Sequence, residues 1–206
     1  MSFNSVAGNG GAPSLDFAWG GQLIDYQPLT HHKGAASSII EHKPLLRLRT
    51  NLAADAFTVA NLGAECSLSS NWTIGLDVTF SPWDITSTKK LRTLLLLPEA
   101  RYYFKTDYNW FYVGAHAHCG FYNVAWDGVT HYQDKDGNTP LWGAGLSAGV
   151  VIPFGEHFGM DINLGAGYAR LEYDEFYNLE NGAKYTTTTK DWWGPTRAGI
   201  SIYYRF

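Results

Sequence analysis

Apolar and polar residues alternate one by one along most of the chain after residue 45. The stretch WTIGLDVTF shows the pattern, with apolar Trp72, Ile74, Leu76, Val78 and Phe80 set against Thr73, Gly75, Asp77 and Thr79. A period of two is typical of β-strands, because successive side chains point to opposite faces of a sheet. No stretch has the period of a helix. The pattern predicts eight strands, at about residues 45–54, 60–68, 72–82, 92–104, 110–126, 142–154, 158–173 and 189–206.

The predicted connectors fall into two length classes. Three are tight, at residues 69–71, 105–109 and 155–157, and three are longer and polar, at residues 81–90, 127–141 and 174–189. The connector at 55–59 is also short. Short turns at one end and long loops at the other are typical of outer-membrane barrels. We therefore predict an all-β fold, an eight-stranded antiparallel up-and-down transmembrane β-barrel of residues 45–206, after an extended periplasmic tail of residues 1–44.

The second face of the predicted strands decides between a membrane barrel and a soluble one. A soluble β-sandwich or lipocalin-like barrel buries its apolar face and carries charges outside. Here the second face is rich in glycine, for example at Gly143, Gly145, Gly165 and Gly167. A crowded lumen needs small residues, and aromatic residues also gather near the predicted strand ends, as they do at membrane interfaces.

The charged residues of this second face form the predicted lumen network. They are Arg47, Arg49, Glu65, Asp77, Glu99, Arg101, His116, His118, Asp161, Arg197 and Arg205. Charges in a narrow lumen require ionic partners and hydrogen bonds. Eight strands enclose only enough room for their own side chains. We therefore expect a cross-linked plug and no open pore.

His116 and His118 also raise the question of a metal. Alternation places both on one face, about 6.6 Å apart along the strand, and Glu99 lies on the preceding strand. The three are candidate ligands, but a hydrogen-bonded structural role is favoured because a third convergent ligand is not assured. Cys66 and Cys119 are expected to be free thiols facing lipid. We expect no metal and no other cofactor.

Composition narrows the function classes. The 206 residues are 45% hydrophobic and 17% charged, with a net charge of -4. No basic stripe suggests a nucleic-acid partner. The longest aliphatic run, at residues 94–97, is far shorter than a membrane-spanning helix, and no signal peptide is visible at the start. The predicted location is the outer membrane of a Gram-negative bacterium, with outer-membrane lipid as a partner and the signal peptide already removed.

Several stretches of the predicted barrel carry a family resemblance. They are LRTNLAADAFTVANLGAE (48–65), PEARYYF (98–104), GFYNV (120–124), LGAGYARLEYDEF (164–176) and GPTRAGISIYY (194–204). Residues 47–206 resemble a domain-of-unknown-function family of small outer-membrane β-barrels from Bacteroidota, often found near fimbrial gene clusters. The resemblance implies fold and location and no activity. The last strand, through Gly199, Ile202, Tyr204 and Phe206, also resembles the C-terminal signal that the outer-membrane assembly machinery reads.

Residues 1–44 depart from that family, whose members usually begin with a signal peptide close to the first strand. The tail is rich in glycine, serine and proline, a composition that does not fold alone. Its scattered apolar residues are Leu15, Phe17, Trp19, Leu23, Ile24 and Tyr26. We expect these side chains to bind a partner protein in the periplasm.

These observations favour a non-enzymatic barrel that serves as a structural or accessory subunit of a larger outer-membrane assembly. One alternative is a surface barrel that binds a ligand or mediates adhesion with its long loops. Its candidate contacts are Trp126, Tyr132, Tyr177, Trp192 and Trp193. A second alternative is a lipid A-modifying enzyme. It would need a histidine base beside its nucleophile, and His131 with Asp127 or Asp134 is the available candidate.

Overall fold

The computed structural model describes residues 18–19, 22–23, 45–126, 128–179 and 181–206. The chain divides into two compact units, Met1–Glu41 and His42–Phe206. The described residues of the first unit form an antiparallel pair, β1 (Ala18–Trp19) and β2 (Gln22–Leu23). The predicted partner contacts at Leu15, Phe17, Ile24 and Tyr26 lie outside the described residues, as do the side chains of Trp19 and Leu23.

The second unit is one antiparallel sheet. Its elements are β3 (Leu46–Asn51), α1 (Leu52–Ala56), β4 (Ala60–Ser67), β5 (Trp72–Asp84), β6 (Lys89–Tyr103), β7 (Trp110–Trp126), β8 (Thr130–Asp134), a 3-10 turn (Lys135–Gly137), β9 (Leu141–Pro153), β10 (Phe158–Tyr177) and β11 (Lys184–Arg205). Eight strands close into a ring in the order β3-β4-β5-β6-β7-β9-β10-β11, and β11 pairs again with β3. All eight predicted strands are present.

The ninth strand of the sheet, β8, lies in residues predicted to be a loop. It pairs with the end of β7 through Asn123 and Gln133, and with the end of β10 through Tyr173 and Asp134. β8 therefore lies between the ends of β7 and β10, and β9 lies between the remaining parts of the same two strands. Asp136, with φ of 55°, lies in the 3-10 turn between β8 and β9. The residues between β7 and β9 are thus partly strand.

Three other strand boundaries predicted from the sequence were wrong. Residues 52–54, predicted as strand, begin α1, because the Asn51 side chain accepts a 3.1 Å hydrogen bond from the Ala53 N–H and the residues that follow are mostly alanine. The connector predicted at residues 81–90 is shorter, because β5 extends to Asp84 and β6 begins at Lys89. The connector predicted at residues 174–189 is also shorter, because β10 extends to Tyr177 and β11 begins at Lys184.

The strands of the ring bury polar side chains and expose apolar ones. On β5, Thr73 and Asp77 are 0% and 7% exposed, whereas Leu76 is 44% exposed. On β9 and β10, Leu146 and Leu164 are 71% and 65% exposed. This distribution reverses the usual one of water-soluble proteins, in which charged residues are rarely buried. Within the described ranges, no helix is long and apolar enough to cross a membrane.

A small apolar cluster closes the ring at the end that carries the tight turns. It consists of Leu45, Tyr103, Tyr108, Tyr112, Val151 and Tyr203. These side chains come from β6, β7, β9 and β11, from the residue before β3, and from the turn between β6 and β7. The middle of the interior is polar, and it contains most of the predicted charged residues.

Candidate functional site

The charged side chains inside the ring form one connected set, which we call the interior ion network. It consists of Arg47, Arg49, Arg101 and Arg197 with Glu65, Asp77, Glu99 and Asp161. The arginine side chains are at most 7% exposed and the carboxylate side chains at most 10%. The four guanidinium groups balance the four carboxylates, so the buried charge sums to zero.

Glu65 on β4 lies at the centre of the network. Its Oε2 accepts hydrogen bonds from Nη1 of Arg47 at 3.3 Å, of Arg49 at 3.0 Å and of Arg101 at 3.2 Å. Its Oε1 accepts bonds of 2.7 Å from the hydroxyls of Thr73 and Tyr103. One carboxylate thus links β3, β4, β5 and β6 through charge-assisted hydrogen bonds.

Asp77 on β5 links two strands that are not its neighbours, β3 and β11. Its two oxygens accept a bidentate pair from Nε and Nη2 of Arg49, both at 2.9 Å. Oδ2 also accepts a 2.7 Å bond from Nη2 of Arg197 on β11, which lies 3.3 Å from Glu99 Oε2 on β6. Because β11 and β6 lie on opposite sides of the ring, Arg197 crosses the interior.

Arg101 on β6 makes the other crossing. Its Nη1 donates to Oδ2 of Asp161 on β10 at 2.8 Å, and its Nε donates to Oε2 of Glu99 at 2.6 Å. Its guanidinium carbon lies 4.3 Å from the ring centroid of Tyr112, whose hydroxyl donates to Oδ1 of Asp161 at 2.9 Å. A planar guanidinium suits such a site, because it can donate in its plane and stack on an aromatic ring.

The predicted histidines lie above this network and do not form a metal site. His116 is a direct cross-strand partner of Glu99, but the Glu99 carboxylate is bound by Arg101, Arg197 and the Ser147 hydroxyl. His116 Nε2 lies 2.9 Å from Oγ1 of Thr196. Among the described residues, no group of three histidine, cysteine, aspartate or glutamate side chains could hold a metal ion.

His118 and Arg205 make no hydrogen bond to the network in the described part of the chain. His118 is buried, its ring centroid lies 6.0 Å from that of His116, and its Nδ1 has no hydrogen-bond partner among the described residues. Arg205 is half-buried at the turn end, where Nη1 donates to the backbone carbonyl of Asp107 at 3.2 Å. Arg205 therefore ties the last strand to a turn.

Thr73, Ser147 and Thr196 are among the interior partners that were missing from the predicted charged set. Thr73 and Ser147 donate to Glu65 and Glu99, and the alternation of their strands could have placed them inside. Thr196 could not be found in this way, because the pairing of β10 with β11 shifts register between Gly165 and Ala166. A residue inserted at a bulge breaks the alternation that sequence reasoning uses.

The residues of the predicted assembly signal lie on both faces of β11. Gly199 is buried inside the ring, whereas Ile202, Tyr204 and Phe206 are exposed on the outer face. Tyr204 and Phe206 are in edge contact, with ring centroids 4.9 Å apart. The two cysteines, Cys66 and Cys119, are free and exposed, as predicted.

The two candidate catalytic residues that the structure describes, His131 and Asp134, have separate surroundings. His131 Nε2 lies 2.6 Å from the Asn123 side-chain oxygen, and its ring packs against Phe176. No hydrogen bond joins His131 to Asp134, both of which are described, and Asp127 lies outside the described residues. Asp134 Oδ2 is buried without a partner among the described residues.

The aromatic loop candidates are distributed over several places. Tyr132 packs on Tyr173 and Tyr177 packs on Tyr185, with ring centroids 5.7 Å and 4.9 Å apart. Trp126 and Tyr132 line one groove beside β8. The other two lie elsewhere: Trp193 packs against Tyr168 on the outer face, and Trp192 lines an interior cavity. The five residues therefore do not form one binding surface.

An ion pair holds the hairpin of β10 and β11 beyond the ring. Lys184 Nζ lies 2.7 Å from Asp174 Oδ1, and Asp174 also accepts bonds from the Asp136 N–H and the Thr187 hydroxyl. Burial opposes ionisation of Asp174, but the bonds from Lys184, Asp136 and Thr187 outweigh it and hold the pKa of Asp174 below its usual value.

Comparison with known proteins bears on the family alone. The family model described as "Protein of unknown function (DUF3575)" matches residues 35–206, which include the whole sheet of the second unit. The comparisons with curated proteins and with solved structures found no match.

Proposed function

Because the chain belongs to the DUF3575 family, whose function is not established, we propose its function from the structure. We propose a non-enzymatic integral β-barrel of the Gram-negative outer membrane, acting as a structural or accessory subunit of a larger envelope assembly. In this proposal the strand ring is the barrel and its outer face meets lipid. The membrane-spanning segments are the ring strands, and β8 with the ends of β10 and β11 projects beyond them.

One observation carries the proposal: the ring exposes large apolar side chains while it buries its charges. Leu76, Leu146, Leu164 and Ile200 on the outer face are between 44% and 71% exposed. Such a surface is unfavourable in water and favourable in hydrocarbon, where a closed ring of strands also leaves no unpaired sheet edge at the closure. Aromatic rings at the turn end, such as Trp72 and Phe158, suit a membrane interface.

The interior supports a structural role over transport or catalysis. Four arginines and four carboxylates cross-link the ring from side to side. Each of these eight charged side chains makes at least one ion pair, so a solute crossing the ring would have to break several buried ion pairs. Of the residues proposed for catalysis, the two that the structure describes, His131 and Asp134, share no hydrogen bond. A plugged barrel that neither conducts nor catalyses acts through what it binds, which makes an assembly role the natural one.

Membrane insertion is tested by placing a charge on the outer face. Leu76 lies midway along β5 between the aromatic residues Trp72 and Phe80, so Leu76→Lys puts an ammonium near the centre of the proposed lipid belt. We expect a loss of about 2–4 kcal/mol in folding from urea into lipid vesicles. Leu179→Lys is the matched control, because Leu179 is 70% exposed in the β10–β11 turn and should tolerate the change. Equal effects of the two substitutions would refute insertion.

The accessory role is tested on the full chain. A tag inserted after Asn181, in the same turn, leaves the last strand and its terminal Phe206 intact. Gentle detergent extraction of the native envelope should recover partner proteins in fixed proportion to this chain. A variant with Trp19→Ala and Leu23→Ala should lose them while it still inserts, if the tail binds the partner. Recovery of the chain alone from a native envelope would contradict the role.

A further inference from the structure

The interior of the ring contains an apolar cavity, away from the tight turns, that is separate from the ion network. Its volume is about 300 Å³, and its walls include Leu95, Leu141, Ala169, Leu171, Pro195 and Trp192. His118, Thr196 and Lys190 also line it. The volume is at the lower end of the range for small-molecule sites, which are mostly apolar with a few polar groups.

The cavity exists because small residues lie opposite large ones. His118 pairs with Gly143, Gly143 with Ala169, and Ala169 with Trp192, so these four residues form one row across four strands. The two small residues in the middle of the row leave open the space between the imidazole and the indole. A side chain at Gly143 would collide with the His118 ring and with the Tyr168 carbonyl oxygen. The two small residues of the row therefore create the space, and position 143 requires a glycine.

A positive charge without an ionic partner lies at the open side of this space. Lys190 pairs with Leu171, one layer above the pair of Ala169 and Trp192, and it is exposed. Its Nζ lies 5.5 Å from the Trp192 ring centroid, and in the described part of the chain no carboxylate forms an ion pair with it. Trp192 is 41% exposed, so part of its side chain is open to a ligand.

His118 lies at the inner side of the space. His118 is 6% exposed, and its buried Nδ1 has no hydrogen-bond partner among the described residues. Native proteins satisfy nearly all buried polar atoms, and the exceptions call for an explanation such as a bound molecule. An ammonium without an ionic partner among the described residues, beside apolar walls, favours a ligand with an anionic group and an apolar body.

We propose that this cavity binds a small carboxylate with an aromatic body. The carboxylate would accept a charge-assisted hydrogen bond from Lys190, and the aromatic ring would lie among Leu95, Leu171 and the Trp192 indole. The site differs from the loop surface considered above, because Trp192 is the one member of the five aromatic loop candidates that lines it. It goes beyond the proposed assembly role and does not depend on whether the ring lies in a membrane.

The binding test uses the folded full chain in nanodiscs of zwitterionic lipid, with isothermal titration calorimetry as the measurement. Phenylacetate is the probe, phenylacetamide its neutral isostere and phenethylammonium its cationic counterpart. We expect phenylacetate to bind about tenfold more tightly than phenylacetamide, and phenethylammonium not to bind. Empty nanodiscs correct for partition into lipid. No saturable heat with phenylacetate, or equal affinity for acid and amide, would overturn the proposal.

Two matched pairs of variants locate the site. Ala169→Leu fills the cavity and should abolish binding, whereas Ala166→Leu, on the outer face of the same strand, should not. Lys190→Gln should remove the preference for acid over amide. Lys105→Gln is its control, because Lys105 also lies over a tryptophan, Trp110, in the turn before β7.

The rim variant keeps the test decisive if the filled cavity does not fold. Lys190 is exposed, and glutamine keeps part of its aliphatic stem, so we expect Lys190→Gln to fold. A Lys190→Gln protein that still prefers phenylacetate over phenylacetamide would refute the site even without a result from Ala169→Leu. Binding that Ala169→Leu leaves unchanged in a folded protein would refute it equally.

Discussion

The interior ion network makes a quantitative prediction at Glu65. Glu65→Gln keeps the size and shape of the side chain and removes its charge. Three guanidinium groups donate to the Glu65 carboxylate, at distances of 3.0 to 3.3 Å. The network then changes from four positive and four negative groups to four positive and three negative, which leaves one buried positive charge without compensation.

The magnitude follows from burial. Both side chains of the Arg47–Glu65 pair are 0% exposed, so solvent cannot screen the uncompensated charge. Breaking a buried ion pair by removing one partner typically costs about 3–5 kcal/mol. Asp84→Asn is the matched control, because it removes the carboxylate of an ion pair with Arg92 whose side chains are 39% and 53% exposed. An exposed pair contributes less than about 1 kcal/mol.

The assay is reversible urea unfolding of the full chain in lipid vesicles, followed by tryptophan fluorescence, with both variants measured beside the parent. The free energy of unfolding should fall by about 3 kcal/mol or more for Glu65→Gln and by less than about 1 kcal/mol for Asp84→Asn. A Glu65→Gln protein as stable as the Asp84→Asn protein would show that the interior charges are solvated, and the argument for a dry, cross-linked interior would fail.

Two further predictions concern packing and pH. Gly143→Ala should prevent folding into the heat-modifiable form on gels, because its Cβ would collide with the Tyr168 carbonyl oxygen, whereas Gly155→Ala, with no neighbouring atom within 4 Å, should fold normally. The lowered pKa of Asp174 means that its pairing with Lys184 stabilises the β10–β11 hairpin at neutral pH and loses this effect as pH falls through the folded-state pKa, below about 3.9. Amide exchange in the hairpin should rise there, and Asp174→Asn should remove that dependence.

The period of two located the strands well where one face is buried and the other exposed without interruption. The predicted strand at residues 110–126 has the bounds observed for β7. The pattern failed at α1, because its five residues are too few to show a helical period. It also failed at β8, whose strand character depends on pairing with the ends of β7 and β10. The local sequence does not indicate such tertiary pairing.

Alternation also identified the buried charges without identifying their partners. Glu99 and His116 are paired across β6 and β7, yet Glu99 is bound by Arg101 and Arg197. Arg197 lies on a strand at the far side of the ring, so its partner depends on ring closure and on the length of its side chain. The face of a strand follows from sequence period, whereas contacts across a closed ring follow from the registers of all the strands together.

The network also gives a physical reason why the strand registers are unique. The outer face is apolar on every strand, so neighbouring strands could slide by two residues and still present an apolar surface. A slide of this kind would separate Arg49 from the bidentate pair that it makes with Asp77 two strands away. It would also move Glu65 away from the three guanidiniums that it accepts from. Because a buried charge without a partner is strongly unfavourable, the interior contacts exclude registers that the outer face would allow.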